Sequence, residues 1–152
     1  MFGNRAKSEG HKVAGLLSTH LKEKEKKFVK LIDQLREESA KGTPIVVEGK
    51  KDVEALRSLE VEGPVISIKT GGKSFAEAIL EIERTKAKKV ILLLDFDRRG
   101  LEATMHFKQN LERAKIKPAT EFWCGLSGLL GKEIQCIESL VPYLESLRRK
   151  IK

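Results

Sequence analysis

Val90-Ile91-Leu92-Leu93-Leu94-Asp95-Phe96-Asp97-Arg98-Arg99-Gly100 is the stretch that decides the fold. Five apolar residues without polar alternation read as a strand covered on both faces, the pattern of a parallel strand in an α/β protein. Asp95 and Asp97 follow it two residues apart. If the strand runs on through them, both side chains leave on one side at the carboxyl end, where open α/β sheets place their ligands. Like charges so close call for a cation or a proton between them, and Mg²⁺, a hard ion that takes carboxylate oxygens and keeps several waters, suits the pair. Alone, an Asp-x-Asp reads equally well as one helix-capping acid and one solvated acid.

A third carboxylate shifts that balance. Ile45-Val46-Val47 is a second short buried run, closed by Glu48-Gly49. In a parallel sheet Glu48 emerges from the same edge as Asp95 and Asp97, and the three converge if the two strands are neighbours. Between these strands, Val53, Leu56 and Leu59 have helical spacing, with Asp52 near the start where negative charge is favourable. Gly63-Pro64 turns the chain into the strand Val65–Ile68. The basic glycine loop Lys69-Thr70-Gly71-Gly72-Lys73 then leads into Ser74-Phe75-Ala76-Glu77, a capping box opening a helix with Phe75, Ile79 and Ile82 on one face.

Behind the central strand, Leu101, Met105, Phe107, Leu111 and Ala114 fit a long helix, and Pro118 to Trp123 offers a fourth strand. Gly125, Gly128 and Gly131 make the next segment loop-like. Ile134, Ile137, Leu140 and Val141 resume a helical stripe, which Pro142 bends or restarts. Strands alternating with helices predict an α/β fold, a mainly parallel four-stranded Rossmann-like sheet with right-handed crossovers. Residues 1–41 read as an N-terminal helical extension, with a frayed lead-in over 1–11, and residues 42–152 as the α/β domain with C-terminal helices. The N-terminal helix either packs on the sheet or docks a second copy, and spacing alone leaves both open.

The composition, 40% hydrophobic and 34% charged, suits a soluble globular protein. A net charge of +8 favours polyanionic partners, although a solvated Lys/Glu-rich surface gives a similar balance. No apolar run approaches the ~18 residues that cross a bilayer, no secretory leader is visible, and Cys124 and Cys136 read as reduced thiols. A cytoplasmic location without membrane partners is expected. Gly72-Lys73-Ser74 imitates the end of a P-loop, but Ser67 stands where that motif needs glycine.

The segments Val46-Val47-Glu48-Gly49-Lys50-Lys51-Asp52, Thr70-Gly71-Gly72 and Leu94-Asp95-Phe96-Asp97-Arg98-Arg99-Gly100 resemble the Toprim domain shared by topoisomerases, bacterial-type primases, certain nucleases and ribosomal RNA maturation enzymes. The similarity runs from about Thr43 to Trp123, and the chain as a whole looks like the small stand-alone Toprim proteins of archaea and some bacteria. The resemblance implies that Glu48, Asp95 and Asp97 bind one or two Mg²⁺ ions, with Glu48 the candidate general acid or base for making or breaking a phosphodiester bond. Lys50, Lys51, Lys69, Lys73, Arg98 and Arg99 would lie on loops at the same edge and hold a nucleic-acid backbone, RNA or DNA. Gly49, Asp52, Gly71, Gly72 and Gly100 would support them. The expectation is nuclease-like, Mg²⁺-dependent chemistry on nucleic acid. Its rival is a non-catalytic RNA- or DNA-binding component of a larger assembly, and a homodimer through the N-terminal helix stays open.

Overall fold

The computed structural model describes residues 2–151, with side chains from Gly15 onward. Four strands, β1 (Ile45–Val47), β2 (Val65–Ser67), β3 (Lys89–Leu92) and β4 (Lys117–Ala119), form one sheet in the order β2-β1-β3-β4. Every pairing is parallel, and Ile45 and Val46 lie opposite Ile91 and Leu92. The two strands that carry the acids are therefore neighbours, as their convergence requires.

Among the described residues, six helices cover the sheet: α1 (Phe2–Ala40), α2 (Lys50–Ser58), α3 (Phe75–Arg84), α4 (Arg98–Arg113), α5 (Glu121–Leu130) and α6 (Leu140–Ile151). The unbroken apolar runs have a direct cause, because successive residues of β1 and β3 enter different cores. Ile45, Val47, Ile91 and Leu93 join the layer built with α1, α2, α5 and α6, which holds Phe28, Ile32, Leu35, Leu56, Leu126 and Leu140. Val46, Val90, Leu92 and Leu94 join the opposite layer with Ile82, Phe107 and Leu111 of α3 and α4. With both faces dry, the strand interiors from Ile45 to Val47 and from Val90 to Leu94 are apolar throughout, and polar residues stand only at the ends.

Helix α1 is 39 residues long and includes residues 2–11, expected as a frayed lead-in. Its C-terminal half packs on the sheet, with Phe28 and Leu35 wholly buried. Lys24 interrupts the apolar stripe for a reason visible only in three dimensions. Its Nζ meets Glu133 Oε1 at 2.7 Å and lies 5.6 Å from the centre of the Tyr143 ring, bracing α1 against the chain that follows α5 and against α6.

Two expectations need correction. The fourth strand spans Lys117–Ala119 and stops before Trp123, and the glycine-bearing segment is not a loop but α5. Gly125 is there for contact: a Cβ at this position would stand 2.8 Å from Leu31 Cδ2 of α1, so the absent side chain lets two helices approach. The remaining elements follow their sequence signals. Ser74 caps α3 by accepting from the Glu77 amide at 3.2 Å, Thr70–Gly72 forms a 3-10 turn, and Pro142 lies in the first turn of α6.

Candidate metal and nucleic-acid site

At the carboxyl edge of the sheet the backbone ladder runs one step beyond the strands, with Leu93 N donating to Val46 O at 2.8 Å. The chain then turns. Phe96 N donates to Gln135 O at 2.7 Å, and the Trp123 indole donates to the carbonyls of Leu94 (3.0 Å) and Asp95 (3.2 Å). These bonds fix the backbone beneath Asp95, whose carboxyl lines one cleft with that of Glu48, within hydrogen-bonding reach of it.

Burial first, then the Glu48 charge and that hydrogen bond, push the Asp95 carboxyl up to about 7. Asp97 takes a different place. Beyond the strand the two-residue alternation ends, and its Oδ1 accepts the Gly100 amide at 2.7 Å as the N-cap of α4. The expected gathering of three acids is thus a facing pair with a nearby capping third. Among the described residues, no group of three or more His, Cys, Asp or Glu side chains is arranged to hold a metal ion.

A cleft of about 280 Å³ opens over the pair, lined by Glu48, Gly49, Lys50, Lys51, Asp52, Lys69, Asp95, Cys136 and Glu138. Six waters at roughly 30 Å³ each occupy ~180 Å³, so a hydrated divalent ion fits. Two carboxylates with water completing the shell match the way Mg²⁺ is usually held. Glu48 and Asp95 therefore suit the ion, whereas the cap bond commits one oxygen of Asp97.

The expected cations divide. Lys50, Lys51 and Arg99 are exposed. Lys69 Nζ meets Glu48 Oε2 at 2.9 Å with its side chain 69% exposed. Lys73 turns inward instead, donating to Ser67 O at 2.8 Å and pairing with Glu81, and Arg98 pairs with Glu102 along α4.

Residues beyond Trp123 complete the cleft wall, and local sequence carried no sign of it. Cys136 and Glu138 come from the 3-10 turn preceding α6, and Asp52 ties that turn down. Its Oδ1 accepts the Glu138 amide and its Oδ2 the Gly49 amide, each at 3.0 Å. Burial pushes the Asp52 carboxyl up, against these two bonds, which favour the ionised form. Asp52→Ala removes a buried carboxylate and leaves both amides without this partner, and a loss of about 2 kcal/mol is expected by urea denaturation.

The pH dependence of the metal-free protein has a definite sign. Unfolded, Asp95 titrates near 3.8; folded, near 7. Between these values the folded state keeps a proton that the unfolded state has released, so this group makes stability fall as pH rises, and the penalty is complete above about 7. Asp95→Asn should remove that slope. In chelator, the variant is expected to melt above the wild type at pH 8 and to lose the advantage towards pH 4, as thermal scans across this range would record.

A Toprim domain model matches residues 43–122. A UPF0292 protein from Archaeoglobus fulgidus is 34% identical over 122 residues, covering 80% of this chain and 93% of the relative. Another from Methanocaldococcus jannaschii is 39% identical over 119 residues, covering 78% and 90%. The solved structure of a protein from Aquifex aeolicus superposes with a TM-score of 0.59 at 30% identity, covering 72% of this chain and 94% of that one. The glutamate and aspartate segments that suggested the likeness close adjacent parallel strands inside the matched region, and the chain belongs to the Toprim domain family, alongside small proteins of archaea and bacteria.

Proposed function

We propose that this protein carries out Mg²⁺-dependent phosphodiester chemistry on nucleic acid, with Glu48 and Asp95 as the ion's protein ligands. The observation that carries the reading is the facing carboxyl pair, whose Asp95 member sits at about 7 beneath a cleft rimmed by lysines. A bound divalent ion supplies neutralisation of the charge that develops on phosphoryl oxygens during transfer. The chain's own groups supply the rest. Lys50, Lys51 and Arg99 offer exposed positive charge to flanking phosphates, and the Asp52 bonds hold Gly49, and with it Glu48, at the strand end. Glu48 is the group we assign to proton transfer at the scissile oxygen, because it ends its strand in the cleft beside Asp95 and a positioned carboxyl can serve as general acid or base.

A second reading draws on the Asp97 cap. With one oxygen of the third acid engaged by Gly100, the edge has fewer free ligands than a metal-dependent cutter would use, which favours a Mg²⁺-bridged binding component that leaves the backbone intact. Labelled RNA and DNA incubated with the protein, in Mg²⁺ or in chelator, distinguish the two. Metal-dependent cutting abolished by Glu48→Gln supports the enzyme, and tight, salt-sensitive binding without cutting supports the module. Binding that is indifferent to salt would count against both, because phosphate neutralisation releases counterions.

A further inference from the structure

Glu48 already has a positively charged neighbour, and its source is unusual. Lys69 is held twice by the same residue: its backbone amide donates to Glu48 O at 2.9 Å, and its ammonium meets Glu48 Oε2 at 2.9 Å. Its own segment is fastened on both sides, by the Thr70 hydroxyl donating to Ser67 Oγ at 2.7 Å and by Lys73 donating to Ser67 O. The 3-10 turn beyond it passes through Gly71 (φ 74°) and Gly72 (φ 67°), a left-handed course that side chains resist, and has no buried residue. The backbone is thus fixed at the edge while a four-carbon stem, mostly in solvent, is free to reorient. Among the described cations, Lys69 is the one whose ammonium pairs with Glu48, whereas Lys50 and Lys51 line the same cleft without pairing with it.

From this geometry we infer that Lys69 is an exchangeable counter-cation: it holds Glu48 while the cleft lacks a divalent ion, is displaced by the ion, and then grips a phosphate of the nucleic acid. The inference rests on the metal reading above and adds to it an order of events. Two facing carboxylates favour a cation or a proton beside them, and an ammonium that sits on one of them competes with any ion that requires the same oxygens. Once displaced, the ammonium remains at the cleft mouth because its backbone cannot leave Glu48, so metal entry produces a free cation where a polyanion arrives. No bond is made or broken; the exchange is of ion-pair partners alone.

Mn²⁺, a spectroscopically visible substitute for Mg²⁺, provides the test on the full chain, by titration with electron paramagnetic resonance detection. Lys69→Met retains the stem and removes the charge. Lys51→Met removes the same charge from the same cleft without breaking an ion pair and controls for the general field. In the absence of nucleic acid, Lys69→Met is expected to bind Mn²⁺ about 2- to 5-fold more tightly than the wild type, the scale of a partly exposed ion pair, with Lys51→Met changing it less. With metal saturating, the order reverses for a short oligonucleotide: Lys69→Met binds it more weakly, and its log–log salt slope is shallower by about one phosphate contact. Equal Mn²⁺ affinity in the wild type and Lys69→Met, or equal gains in both lysine variants, would overturn the exchange and leave the metal site standing. Failure of the wild type to bind Mn²⁺ at all, with Asp95→Asn making no difference, would remove the metal site and the exchange together.

Discussion

Gly100→Ala is expected to cost about 3–5 kcal/mol of folding stability, a large fraction of what a domain of this size commonly has. Conformational preference is not the cause, since alanine is the better helix former. A Cβ at position 100 would stand 1.8 Å from the Asp95 carbonyl oxygen and 2.5 Å from its carbon. Backbone atoms cannot rotate away as the tip of a side chain could. The carbonyl is held from the other side by the Trp123 indole, and the Gly100 amide is fixed by Asp97. Either the first turn of α4 moves outward and loses its cap, or the Asp95 segment moves and loses its register with Glu48. A urea midpoint near that of the wild type would contradict this account. A folded but displaced variant would be recognised by weaker divalent-ion binding at unchanged helix content.

The second large effect concerns the acids. Glu48→Gln should lower divalent-ion affinity by ~100-fold or more, since changes to residues that merely support a metal ligand already cost 10–100-fold. If the protein cuts nucleic acid, the rate at saturating metal should fall by a further ~10²–10⁴, the range attributed to a positioned acid or base. Removing the charge also relieves the repulsion that lifts Asp95, so its carboxyl should titrate nearer the ordinary range, which carboxyl-carbon NMR would detect. The metal-free variant should therefore be no less stable than the wild type at pH 8. Loss of function with undiminished stability would separate a role in the site from a role in the fold. Asp97→Asn provides the contrast: asparagine is as good a cap, so stability should change little, and its effect on metal affinity reports whether the second carboxyl oxygen takes part.

Much of this was legible in the chain because strands buried on both faces leave no alternative pattern. Val90–Leu94 and Ile45–Val47 are apolar throughout since their residues alternate between two cores, and the first polar residues after each mark the edge of the sheet. Ser74 and Glu77 gave away the start of α3 through local chemistry alone. What remained hidden depends on partners distant in sequence. Glycines 125, 128 and 131 resemble a loop until Leu31, ninety-four residues before Gly125, is seen lying against that position. Asp97 sits at the right spacing for a ligand, yet the turn fixed by Phe96 and Gln135 makes it a cap. Cys136 and Glu138 reach the cleft through Asp52, across 86 residues, a link no local motif records.

Trp123 is the chain's single tryptophan, and its indole hydrogen is bound to the carbonyl of the residue whose carboxyl shares the cleft with Glu48. Indole emission shifts with the dipoles around it, so this arrangement gives the molecule an intrinsic optical gauge of its own acid cleft. An ion bound at Asp95, as proposed, would alter the field at the ring with no dye attached, and excitation selective for indole confines the signal to that one place.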